Sequence, residues 1–151
     1  MSEYVQAQSP QNVPFGQNLL LIDPIPCPRG QVIHRNGSGI LTLRGCASGN
    51  SCFARYEVTF NGNLAVPEGG TAAAIAVALA IDGEPVQTSR AIVTPAAVDE
   101  YFNVTSTAII DVPRGCCYTV AVENVSEGAT AADPATAINV QNANLVVSRI
   151  A

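Results

Sequence analysis

Hydrophobic and polar residues alternate with a period of two along most of the chain. That is the spacing at which successive side chains of a β-strand point to opposite faces. Phe53-Ala-Arg-Tyr-Glu-Val-Thr-Phe60 shows it plainly and runs into Asn61-Gly62, a strong turn signal. Asn18 to Asp23 is a short apolar run stopped by Pro24, Pro26 and Pro28, which reads as a strand leading into a rigid, extended loop. Gln31 to Arg35, ended by Asn36-Gly37, and Gly39 to Leu43 are further candidate strands. Val86 to Thr94, Tyr101 to Val112, Tyr118 to Asn124 and Ala137 to Ile150 complete the set. The turns between them carry Pro95, Pro113-Arg114-Gly115, Glu127-Gly128 and Asp133-Pro134. No segment combines helical periodicity with caps. The pattern therefore predicts an all-β chain, an antiparallel sandwich or barrel of about eight to ten strands.

Thr71 to Ile81 is the most informative stretch. Ile75, Val77, Leu79 and Ile81 fall on one face of a strand, and Ala72, Ala74, Ala76, Ala78 and Ala80 on the other. Alanine is the best helix former, so a helix is the rival reading. Strict alternation of the larger residues, several of them β-branched, and the hairpin signal Asp82-Gly83 favour the strand. A strand apolar on both faces needs cover on both, and a neighbouring chain is one candidate for the alanine side.

Composition narrows the function. The 151 residues suit one domain, and aromatics are only 5%, so the core must rest on Ala, Val, Ile and Leu. A net charge of −5, with no lysine, argues against nucleic acid and anionic membranes as partners. The N-terminus lacks the basic start and apolar run of a signal peptide, and no stretch of about twenty apolar residues is present to span a bilayer. At 48% hydrophobic and 13% charged residues, the chain fits an obligate oligomer better than a lone monomer.

Catalytic chemistry finds little support. His34 sits beside Arg35 in a turn-like stretch, with no nucleophile or orienting acid at a useful spacing. Asp99-Glu100 read as solvated loop carboxylates. Asp82-Gly83-Glu84 is an acidic turn short of the ligands a calcium site needs. Gly69-Gly70 is a turn, since neither lysine nor helix follows as in a phosphate cradle. No catalytic residue, metal ligand or cofactor is expected. The cysteines are Cys27, Cys46, Cys52, Cys116 and Cys117, an odd number. Cys46 and Cys52 bracket a turn-rich loop and are the candidate disulfide, against the alternative of two reduced thiols. Cys116-Cys117 read as strand-start residues, with redox activity or a bond to a neighbouring subunit as the alternative.

The order of these segments resembles the bacterial members of the tumour-necrosis-factor-like jelly rolls. Phe53 to Asn63 is similar to their "G-x-Y-x-I-x-Y" strand, and Ala76 to Val86 to their "L-x-L-x-x-N-G-x-x-I/V" hairpin. Ile109 to Gly115 followed by Tyr118 to Val122 resembles "V-x-x-G-D-x-L-x-L", with Cys116-Cys117 replacing the aspartate. Ala143 to Ile150 resembles the closing strand "A-x-L-x-V-x-R-L", and Val13 to Asn18 the first strand. The similar domains are the C-terminal domains of collagen-like spore-surface glycoproteins and domains of phage virion proteins. The collagen stalk that often precedes them is absent here.

The resemblance implies a jelly-roll sandwich that assembles as a homotrimer, subunits packed edge to face. Residues 18–151 form the jelly roll in this reading, and residues 1–17 an attachment arm that orders on docking, with Tyr4, Val5, Val13 and Phe15 as its anchors. Leu20, Ile22, Tyr118, Val120, Leu145 and Val147 are the residues placed at the trimer seam. The expected role is a non-enzymatic surface decoration or fibre-head component of a phage virion, docked on a major capsid or other assembly protein. The alternative is a recognition module at a bacterial spore or cell surface, reading a glycan or receptor through the loops 46–52 and 127–134.

Overall fold

The structure, a computed structural model, describes residues 2–21, 23–25, 32–34, 38–46, 49–126 and 137–151. Twelve strands occur among them: β1 (Ser2–Ala7), β2 (Gln11–Val13), β3 (Asp23–Ile25), β4 (Val32–His34), β5 (Leu41–Arg44), β6 (Phe53–Ala65), β7 (Ile75–Ile81), β8 (Glu84–Pro85), β9 (Ala91–Val93), β10 (Phe102–Pro113), β11 (Cys117–Asn124) and β12 (Ile138–Arg149). A single 3₁₀ turn, Gln87–Ser89, is the helical exception among the described residues. The strands form two antiparallel sheets. One runs β10-β6-β12-β1-β3, with β2 also on β12. The other runs β4-β5-β11-β7-β8, with β9 also on β7.

Period two does the packing. On β6, Ala54, Tyr56, Val58, Phe60 and Leu64 are buried, and on β12 so are Leu145 and Val147. From the second sheet Leu41, Leu43, Ile75, Val77, Leu79, Val120 and Val122 meet them in one continuous core. Burying each such side chain is worth about 1.5–3 kcal/mol, and aliphatic residues supply most of it. Tyr56 is the large polar-tipped exception. Its hydroxyl donates to the Arg44 carbonyl at 2.5 Å, and burial pushes its ionisation above the ordinary phenol range.

Four local expectations meet different outcomes. Asp82 and Gly83 both take positive φ, 51° and 86°, as a two-residue hairpin turn requires. Asn61-Gly62 does not turn. β6 runs straight through it because β10 and β12 pair with it on both sides. A Cβ on Gly62 would come within 2.8 Å of the Phe60 ring, so glycine there provides room and not a bend. Pro24 does not end a strand either; it lies within β3, at the open edge of its sheet, where a missing N–H costs no ladder bond. Val86 to Thr94 is broken by the 3₁₀ turn before β9 begins. There the buried Ser89 hydroxyl accepts from Leu79 N–H at 3.0 Å and donates to Val86 C=O at 2.6 Å, replacing strand partners.

The alanine face of β7 needs no neighbour. Ala76, Ala78 and Ala80 are 1%, 1% and 2% exposed within the single chain. The turns expected at 127–128 and 133–134 lie outside the described residues.

Candidate interaction surface

Residues 2–17 are not a separate arm. β1 is an interior strand, paired with β12 on one side and β3 on the other, and β2 adds to β12. Val5 and Val13 are core residues at 0% and 2% exposure. Only Phe15, 53% exposed in the turn closed by Gln17 N–H on Pro14 C=O, has the accessibility an anchor needs. Tyr4 is half-buried on the outward face of the first sheet. Sequence alternation could not separate an arm from a strand, because β1 is held by pairing with residues some 140 positions away.

The seam residues also divide. Val120, Leu145 and Val147 are fully buried inside the sandwich, so their side chains offer no surface to another copy. Tyr118 is partly buried against the same core. Leu20 is 52% exposed and held in place by Gln11, whose side-chain amide accepts from Leu20 N–H at 2.8 Å and donates to Leu20 C=O at 2.9 Å. Ile22 lies outside the described residues. The correction is one of parity: a one-residue step along β12 moves from core to outward face.

That outward face is built in rungs. One rung reads Thr107, Thr59, Val146, Tyr4 across β10, β6, β12 and β1. The next reads Thr105, Asn61, Asn144, Gln6. Short polar pairs tie β10 to β6: Thr59 to Thr107 at 3.3 Å, Asn103 to Asn61 at 2.9 Å, Thr105 to Asn61 at 3.1 Å. Charge enters toward the chain termini, where Arg55 and Asp111 pair and Arg55 also lies 5.0 Å over the Phe53 ring. β9 and β10 come together at one edge of the sandwich. That edge carries Ile92 and Ile109, 60% and 62% exposed, and Tyr101 and Phe102 are exposed at the other end of β10.

The residues weighed for chemistry have structural uses. His34 Nε2 lies 2.6 Å from the Ser38 carbonyl and ties β4 to the chain before β5. Asp82 accepts from both the backbone N–H and the hydroxyl of Thr119, at 2.8 and 3.1 Å. Asp99 takes a positive φ of 56° in an exposed loop, its N–H donating to Val66 C=O. Cys46, Cys52, Cys116 and Cys117 are exposed and free, so no staple joins Cys46 to Cys52. Among the described residues, no three His, Cys, Asp or Glu side chains are gathered as a metal would need.

No protein-family model matches the chain, and no curated protein does. Solved structures do. The globular domain of a zebrafish complement 1qA protein superposes with a TM-score of 0.63 at 12% identity, covering 99% of this chain and 97% of that one. The tumour-necrosis-factor protein Eiger of S. frugiperda gives 0.69 at 10% identity, covering 100% and 92%. The chain is a TNF/C1q-type jelly roll. In this jelly roll the uncharged rungs belong to the sheet that holds both terminal strands, and the apolar β9–β10 edge lies at the open side of the sandwich. No sequence signal marked Val146, Ile92 or Ile109 as surface residues, because period two fixes alternation but not which parity faces outward.

Proposed function

We propose that this jelly roll is a non-enzymatic structural protein that assembles as a homotrimer, the β9–β10 edge of one copy on the outward sheet face of the next. We place it on the surface of a larger particle, a phage virion above others, as a decoration or fibre-head component. The observation that supports this is the coexistence, in one chain, of an exposed apolar edge at Ile92 and Ile109 and a low, uncharged face centred on Val146 and Tyr4. Burying both together removes apolar area from water and desolvates no charge on the central rungs. Phe15 and Leu20, exposed elsewhere on the chain, are the side chains available to a capsid or other assembly protein.

Native mass spectrometry tests the assembly. Three copies are expected for the unaltered chain. Val146→Asp and Ile109→Asp should release folded single chains with unchanged far-ultraviolet dichroism, whereas Leu145→Asp, one residue away, should unfold the protein. A wild-type monomer at micromolar concentration, or a trimer surviving both surface changes, overturns the proposal. Co-sedimentation with assembled capsids, lost on Phe15→Asp with Leu20→Asp, tests the particle.

A further inference from the structure

Two connections pass between the sheets at one end of the sandwich. Residues 45–52 lead from β5 to β6, and residues 114–116 from β10 to β11. They are pinned to each other by their backbones. Gly45 N–H donates to Cys116 C=O at 2.8 Å, Gly115 N–H to Gly45 C=O at 3.2 Å, and Arg114 N–H to Cys52 C=O at 2.8 Å. Glycine at 45 permits the crossing, since a Cβ there would lie 2.0 Å from the Pro113 carbonyl oxygen and 3.0 Å from that of Cys116. All the cysteines among the described residues sit on this pair of connections: Cys46 and Cys52 at the two ends of one, Cys116 and Cys117 at the end of the other.

Parity selects two of them. Leu43 and Tyr118 pack on the core, and the next pair in the register, Arg44 and Cys117, stands on the opposite, outward side of the second sheet. Continuing the alternation places Cys46 on that same side. Gly45 faces both Gly115 and Cys116, a two-against-one arrangement that sharpens the twist and re-aims the neighbouring side chains. Of the four described thiols, Cys46 and Cys117 are the two whose charge reaches the Tyr56 hydroxyl, so they gather round one point. Both are exposed and free, open to a reagent in solution.

We infer that Cys46 and Cys117 form a thiol-exchange site that closes reversibly into a disulfide, with a small anionic disulfide such as oxidised glutathione as the oxidant. Arg44, directly across from Cys117, offers a cation to the carboxylates of such a reagent. The Cys117 thiolate attacks one sulfur of the reagent, the reagent's S–S bond breaks, and one glutathione leaves as its thiolate. The Cys46 thiolate then attacks the Cys117 sulfur, and the second glutathione leaves. Two protein thiols are oxidised and one reagent disulfide is reduced; the two protein protons end on the two departing thiolates. The new bond ties together connections that the fold holds there by backbone hydrogen bonds, and it restrains the unfolded chain. Cys46 and Cys117 belong to the second sheet, on neither the face nor the edge assigned to the trimer, so the site stays open in the assembly and the inference does not rest on it.

Digestion and mass spectrometry of the full chain, first reduced and then incubated with oxidised glutathione, test it. A linked pair of peptides carrying Cys46 and Cys117 is expected, with single-chain mobility on non-reducing denaturing gels. The oxidised protein should melt at a higher temperature than the reduced one, and dithiothreitol should reverse the shift. Cys46→Ser should stop the reaction halfway, leaving glutathione on Cys117 and no rise in melting temperature. Cys52→Ser should oxidise as the unaltered chain does. The peptide map of the unaltered chain needs no variant and decides the pairing by itself. No bond, a bond at any other pair, a link between chains, or a Cys46→Ser variant that carries no more glutathione at Cys117 than at Cys52 overturns the inference.

Discussion

The guanidinium of Arg55 grips the carboxylate of Asp111 through two parallel hydrogen bonds, Nε to Oδ1 at 2.7 Å and Nη2 to Oδ2 at 2.9 Å, directly across the β6–β10 pair. A two-pronged contact of this shape is the strong form of a charge-assisted hydrogen bond. It stands on an exposed part of the outward face.

The first prediction concerns that pair. The side-chain hydrogen bond from Arg55 holds the Asp111 carboxyl below its ordinary value of 3.8, and the same contact raises Arg55. A group depressed in the fold stabilises above its unfolded value, and that contribution disappears as pH falls through the folded one. NMR titration should show Asp111 ionising below 3.8, and Arg55→Gln should return it toward that value. The pair is solvent-exposed, so the change in melting temperature should be small and should shrink further in salt.

Asn124 is the second test. It is fully buried; its Nδ2 donates to Val13 C=O at 2.9 Å and its Oδ1 accepts from Ser126 N–H at 3.0 Å. The side chain thus joins the end of β2, on one sheet, to the end of β11, on the other. Asn124→Leu keeps the branched shape but orphans both backbone groups, at about 1–3 kcal/mol each. Chemical denaturation should show a loss of that order, about 2–6 kcal/mol in all. A loss under about 0.5 kcal/mol, the usual surface range, would show that the two sheets do not rely on it.

Glu123 responds to pH in the opposite sense to Asp111. Burial first, and the nearby charge of Glu84 second, raise its carboxyl above the ordinary 4.5. A folded state that holds its proton more tightly than the unfolded one loses stability as pH rises from the unfolded value through the folded one. Glu123→Gln should therefore flatten the decline in melting temperature across that window and leave stability at lower pH nearly unchanged. An unaltered pH profile would remove Glu123 as its cause.

How far the sequence could be read depends on the range of the interaction behind each feature. Asp82-Gly83 was legible because two positive φ angles are a local demand that few residues meet. β10, β11 and β12 fall within a residue or two of their alternating segments. Asn61-Gly62 misled because the same dipeptide serves as a space-saver beneath Phe60, and pairing on both flanks overrides its turn preference. Gly39 and Gly45 gave no signal at all. A methyl on Gly39 would sit on the Leu19 carbonyl and one on Gly45 on the Pro113 carbonyl, close crossings between distant segments.

The sequence alone determined that the chain is all-β, where most of its strands lie and that its core is aliphatic, because these follow from side-chain period and composition. Tertiary structure alone decided that residues 2–7 are an interior strand and that Leu145 is core while Val146 faces out. It also decided that a bulge in the β6–β12 pairing gathers Gln6, Gln8, Asn142 and Asn144 around one cavity. Those outcomes depend on which distant strands meet and in what register, and a shift of one residue inverts every face.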